Sequence, residues 1–177
     1  MSTYPPWAAG QRITAAGLRA GLPDWVSKSA DEIVTSSSTL QLDDHLTLPV
    51  EAGATYTVHS QLFVSAGDSA ADIKIGWSFP AGGTLHFGGT GAHTGALTGS
   101  TSGDAEFFGI RNAQPNGGGG TSLAFGISSG LNTWIRLEAI LITTAAGALT
   151  LMWAQNSPSG TATRVMSGSW LELRRRA

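Results

Sequence analysis

Residues 71–79 read ADIKIGWSF, and their alternation decides the fold class. Ile73, Ile75, Trp77 and Phe79 fall on one side of an extended chain, and Asp72, Lys74, Gly76 and Ser78 on the other. A period of two marks a half-buried antiparallel strand; a helix would need apolar residues every three or four positions. The pattern recurs outward from this stretch. In ATYTVHSQLFV (54–64), Tyr56, Val58, Leu62 and Val64 share a face that Ser60 interrupts. Further strands are expected at 106–111, 122–127, 133–143, 148–154 and 169–174, and around 32–35 and 40–48. LNTWIRLEAILITT (131–144) has helix-like apolar content, but its β-branched residues and the flanking Gly130 and Gly147 favour a strand. TTAAGALT (143–150) is expected to close a hairpin. The sum is about eight to ten short strands between Gly, Ser and Asn turns, the rhythm of an all-β antiparallel β-sandwich or jelly roll.

The chain has 177 residues, enough for one β domain (26–177) preceded by an N-terminal arm (1–25). Hydrophobic residues make up 41% and charged residues 12%, against roughly 25% charged in an average domain. That composition is far from a disordered chain and suits a surface rich in Ser, Thr, Gly and Asn or covered by neighbours. A net charge of −2 gives no field to steer the molecule toward nucleic acid. Cysteine is absent, which removes disulfides, zinc–thiolate sites and thiol nucleophiles together. No apolar run is long enough to span a membrane, and MSTYPPW lacks the basic and apolar regions of a signal peptide.

The arm carries its own helix signals. Thr14 is suited to an N-cap, Ile13 and Leu18 to a hydrophobic staple, Gly21 to the C-terminal glycine and Pro23 to the stop. Isolated helices below roughly 12–15 residues are marginal in water. A helix of about two turns must therefore be docked, through Ile13, Leu18, Leu22 and Trp25, on the body or on a partner.

Chemistry-bearing motifs do not assemble. G-I-S-S-G (126–130) matches a hydrolase elbow in letters, but a strand rather than a helix is expected to follow, and no histidine lies beyond His93. GGGGTS (117–122) lacks the lysine of a phosphate loop. His45, His59, His86 and His93 show no metal-ligand spacing, although His86 and His93 flank the glycine-rich stretch FGGTGAHTGALTGSTSG (87–103), read as a long loop. Asp43 and Asp44 would point to opposite faces and read best as a turn; Asp104 and Glu106 would share a face. Trp77, Trp134, Trp153 and Trp170 sit in expected strands, where core or interface is the commoner fate than a ligand platform. The C-terminal LELRRRA reads as a charged, solvated end. No catalytic residue, metal or cofactor is expected, and the chain is read as a non-enzyme.

AAGQRITAAGLRAGLP, DEIVTSSSTLQLDDHLTLPVEAGATYTV, ADIKIGWSFPAG and GALTLMWAQNSPSGTATRVMSGSWLELRRR together resemble small virion proteins of tailed phages that infect actinobacteria. In such proteins a short W-x-x-G-x-x-I-T-A-like arm precedes a small β-sandwich. The resemblance implies a structural protein located in the virion, its arm docked on a neighbouring virion protein by burial of Trp7, Ile13, Leu18, Leu22 and Trp25. It would decorate or stabilise the capsid, with the major capsid protein or another virion protein as partner, and form a homotrimer. A tail-fibre or receptor-binding module that recognises host cell-wall glycans is the second expectation.

Overall fold

The computed structural model describes residues 10, 12, 14, 15, 17, 21–68, 71–92, 94, 107–108, 112–115 and 122–176; for 107–108 and 112–115 it describes the backbone. In chain order the strands are β1 (Asp24–Ser27), β2 (Glu32–Val34), β3 (Gln41–Val50), β4 (Thr55–Ala66), β5 (Ile73–Ser78) and β6 (Thr84–Gly91). They continue with β7 (Phe107–Phe108), β8 (Asn112–Pro115), β9 (Leu123–Phe125), β10 (Thr133–Ile142), β11 (Gly147–Gln155), β12 (Thr163–Val165) and β13 (Trp170–Arg175). Two antiparallel sheets result. The small one runs β3-β11-β5-β9; the large one runs β1-β13-β4-β10-β6-β7, with β12 beside β2 and β4, and β8 beside β6.

The period-two reading holds where the alternation is cleanest. In β5, Ile73, Ile75 and Trp77 are fully buried. In β4 every second residue from Tyr56 to Ala66 is buried. Ser60 is tolerated in that row because its Oγ donates to the Trp170 carbonyl at 2.8 Å. The buried faces of both sheets meet in one cluster, with Leu62, Ile135 and Leu137 from the large sheet and Ile75, Trp77, Leu151 and Trp153 from the small one. Trp77 and Phe87 meet edge to face across it, ring centroids 6.4 Å apart.

Pairing is nested. β1 pairs with β13, β3 with β11, β4 with β10 and β5 with β9, all antiparallel. Each pair encloses the next, so the chain behaves as one long antiparallel ribbon folded back on itself. This overturns the hairpin expected at TTAAGALT. Both edges of β10 are already taken by β4 and β6, so β11 cannot pair with it and joins the small sheet instead. Thr143 fixes that crossing. Its Oγ1 donates to the Glu51 carbonyl at 2.6 Å and accepts from the Ala54 amide at 3.1 Å, tying the end of β10 to the β3–β4 turn.

Two further expectations change. The glycine-rich stretch starts as strand β6, not as loop, through Gly91. A Cβ on Gly89 would lie 2.7 Å from Leu137 Cδ2 and 2.8 Å from Phe125 Cζ, so this glycine lets a core ring approach the backbone. Asp43 and Asp44 lie within β3 rather than in a turn. The β3–β11 register breaks between Thr150 and Met152, and the residues bulged out on β3 include both aspartates. Asp43 Oδ1 accepts the His45 and Leu46 amides at 2.9 Å, a turn-like grip inside a strand. Strands β1, β6, β8 and β12 were not among the expected segments, and β1 straddles the expected arm boundary at residue 25. The C-terminal run is not a loose end: Arg175 closes β13 and pairs with Glu51.

Candidate functional site

The bulge in β3 builds the one buried ion-pair cluster among the described residues. Lys28 follows β1, and its side chain is fully buried. Its Nζ donates to Asp43 Oδ2 at 2.6 Å and to Glu32 Oε2 at 2.9 Å. Trp153 Nε1 also donates to Asp43 Oδ2, at 3.2 Å. Glu32 accepts Gln41 Nε2 at 2.9 Å and the Asp44 amide at 3.1 Å. Ligand atoms of Glu32, Asp43 and His45 lie within 4.8 Å of one another, a metal-like grouping. A metal does not fit there. The Lys28 ammonium already supplies the positive charge, and each carboxylate oxygen has a donor. The cluster is an internal clamp joining β2 and β3 to the residue after β1.

The other sequence candidates separate. Ser128 is buried between β9 and β10, and its amide donates to Thr133 Oγ1 at 3.1 Å; a strand follows, as expected, not an elbow helix. His59 and His86 stand on the outer face of the large sheet, and His45 at the bulge with a buried Nδ1 that has no partner among the described residues. His93, Asp104, Glu106 and residues 116–120 lie outside the described residues. The tryptophans divide. Trp77 and Trp153 are core, Trp170 is half-buried and Trp134 is 56% exposed.

The outer face of the large sheet collects the exposed set in register. One row runs Trp25, Glu172, His59, Glu138 and Gly88 across β1, β13, β4, β10 and β6. The next runs Ser27, Trp170, Gln61, Arg136 and Thr90. Beyond it Phe63 faces Trp134, ring centroids 4.9 Å apart. On the other side lie Thr57, Ile140 and His86, then Thr55, Ile142 and Thr84. Arg136 and Glu138 pair at 2.8 Å, both well exposed. Two open depressions, about 470 and 430 Å³, adjoin at His59 and Arg136; Trp134, Trp170 and Glu172 line the smaller. Sequence patterning assigned the tryptophans to strands but not to this face, because the face is set by register between strands distant in the chain.

Of the residues expected to anchor the arm, Trp7, Ile13 and Leu18 lie outside the described residues. Leu22 is 65% exposed and Trp25 is 58% exposed, where the arm leaves the β1 edge. The Gly17 amide donates to Thr14 Oγ1 at 3.1 Å, the contact expected of an N-cap.

No protein-family model matches the chain, and no curated protein matches it in sequence. Among solved structures it is similar to the tripod from the baseplate of bacteriophage Tuc2009, at 13% identity and a TM-score of 0.31, over 84% of this chain and 65% of that one. It is also similar to infectious bursal disease virus, Gt strain, at 15% identity and a TM-score of 0.21, over 88% of this chain and 41% of that one.

Proposed function

We propose that this chain is a non-enzymatic structural protein of a phage virion, held on the capsid or another virion surface by its N-terminal arm. The body would be a β-sandwich of jelly-roll type, since nested antiparallel pairs are what a rolled-up ribbon produces. A homotrimer is its proposed state. The sequence resemblance supports the virion setting. One observation carries the anchoring role: Leu22 and Trp25 stay exposed at the base of the arm, while the core behind them is closed without them. Burial of such side chains on a partner contributes roughly 25 cal/mol per Å² before ordering costs. Repetition on a lattice would multiply a weak contact.

The test is deletion of residues 1–23, which spares β1, followed by binding to virions or empty capsids lacking the native protein. Loss of binding by a folded body identifies the arm as the anchor. Undiminished binding removes that role, and a full chain that binds neither capsid nor tail protein removes the virion reading.

A second reading is a receptor-binding module for cell-wall glycans. The depression between Trp134 and Trp170 favours it, because His59, Gln61 and Glu172 there make no side-chain hydrogen bond to another described residue. Glycan-array binding that disappears in Trp170→Ala would select this reading over decoration.

A further inference from the structure

Strand β10 breaks the rule its own sheet sets. It lies inside the large sheet, between β4 and β6, with its odd-numbered residues buried. Its outward residues are Trp134, Arg136, Glu138, Ile140 and Ile142. An antiparallel sheet with one solvated face normally turns polar residues outward. Here Trp134, Ile140 and Ile142 are 56%, 49% and 45% exposed on a central strand, with Phe63 beside Trp134 and Trp25 on the same face at the β1 edge.

We propose that this outer face, centred on β10, is where the chain meets a second copy of itself. The inference rests on the oligomeric part of the function proposed above, and not on what the arm binds. Two observations choose the occupant. The first is charge. The face carries Arg136, Arg164 and Arg174 with Glu138 and Glu172, so both signs are present on it. A patch that must meet its own kind in a closed assembly has to carry both members of each complementary pair. A patch for a strongly charged partner would carry one sign. The second is area. A ten-residue strand such as β10 is ~34 Å long, and four to five strands at ~4.8 Å spacing give a face on the order of 650–800 Å². That is close to the ~800 Å² per partner of a standard interface. A saccharide in the Trp134–Trp170 depression would leave Ile142 in water, since it lines neither depression.

The experiment uses the full chain. Multi-angle light scattering and sedimentation equilibrium would be run across micromolar concentrations on the wild type, Ile140→Lys, Ile142→Lys and Leu42→Lys. Leu42 is about as exposed, at 53%, but lies on β3 of the small sheet and serves as the control. The expected result is a wild-type oligomer whose dissociation midpoint shifts by at least ~30-fold in each β10 variant, as for interface hot spots. The Leu42→Lys control should keep the wild-type mass. Hydroxyl-radical footprinting of the wild type should protect Trp134, Ile140 and Ile142 relative to Leu42, a readout that does not depend on any variant folding. A monomeric wild type, an oligomer indifferent to the β10 substitutions, or equal labelling at both residue sets would overturn the proposal. So would a monomer that binds glycan through Trp134.

Discussion

At the scale of single residues, the clearest energetic commitment is Lys28. Its ammonium is removed from water and held by Asp43 and Glu32. A buried ion pair adds little net stability over a well-packed apolar pair, but losing one partner strands the other charge. Lys28→Ala should therefore cost about 3–5 kcal/mol in urea unfolding; a loss under ~1 kcal/mol would mean that Asp43 is reached by water. The buried indoles give a paired comparison. Trp153 Nε1 donates to Asp43, whereas Trp77 Nε1 has no partner among the described residues. Both changes to Phe remove similar volume, so Trp153→Phe should destabilise more than Trp77→Phe. The difference should be about 1.5–3 kcal/mol, the usual worth of a hydrogen bond to a charged group. Equal losses would show that the bond to Asp43 contributes nothing measurable.

At the scale of elements, β6 shows how composition misleads. FGGTG looks like loop because glycine is depleted from strands. It is strand because Gly89 and Gly91 face the ring of Phe125 on β9, where side chains would collide. Gly89→Ala should destabilise by about 1–3 kcal/mol through overpacking, despite its gain in backbone rigidity, and thermal melts can check it. A stabilised variant would show that Phe125 can move aside. β3 offers the complementary case. Its alternation is interrupted by a bulge that places Asp43 inward and Asp44 outward, and the sequence pattern held no hint of Lys28 as its partner. The clean strands β4, β5, β10 and β11 were readable because each has one dry face. β1, β8 and β12, of three or four residues, were not among the expected segments, although the equally short β2 and β9 were, so a piece this short is read or missed on very few alternations.

At the scale of the whole molecule, the nested ribbon would let the proposed arm and the proposed face act independently. The arm enters at β1, on one edge of the large sheet, while β10 lies inside that sheet. Removing residues 1–23 should leave the folded body and its self-association intact and abolish attachment to virions. Lysine at Ile140 should do the reverse to self-association at low concentration. If both changes abolish the same activity, attachment and assembly are one event, and the division between arm and body fails.

By itself the sequence determined an all-β chain, most of its longer strands, the absence of thiol chemistry and the capping contact at Thr14. Those follow from period, composition and local capping, which act between residues close in the chain. Only the tertiary structure decided which strands pair, that TTAAGALT crosses between sheets, that Lys28 is buried against Asp43, and that Trp134, Ile140 and Ile142 share an open face with Trp25. The physical reason is that strand pairing and ion-pair burial join residues far apart in sequence. Alternation records that a residue has a dry side and a wet side, but not which strand lies next to it or what covers the wet side.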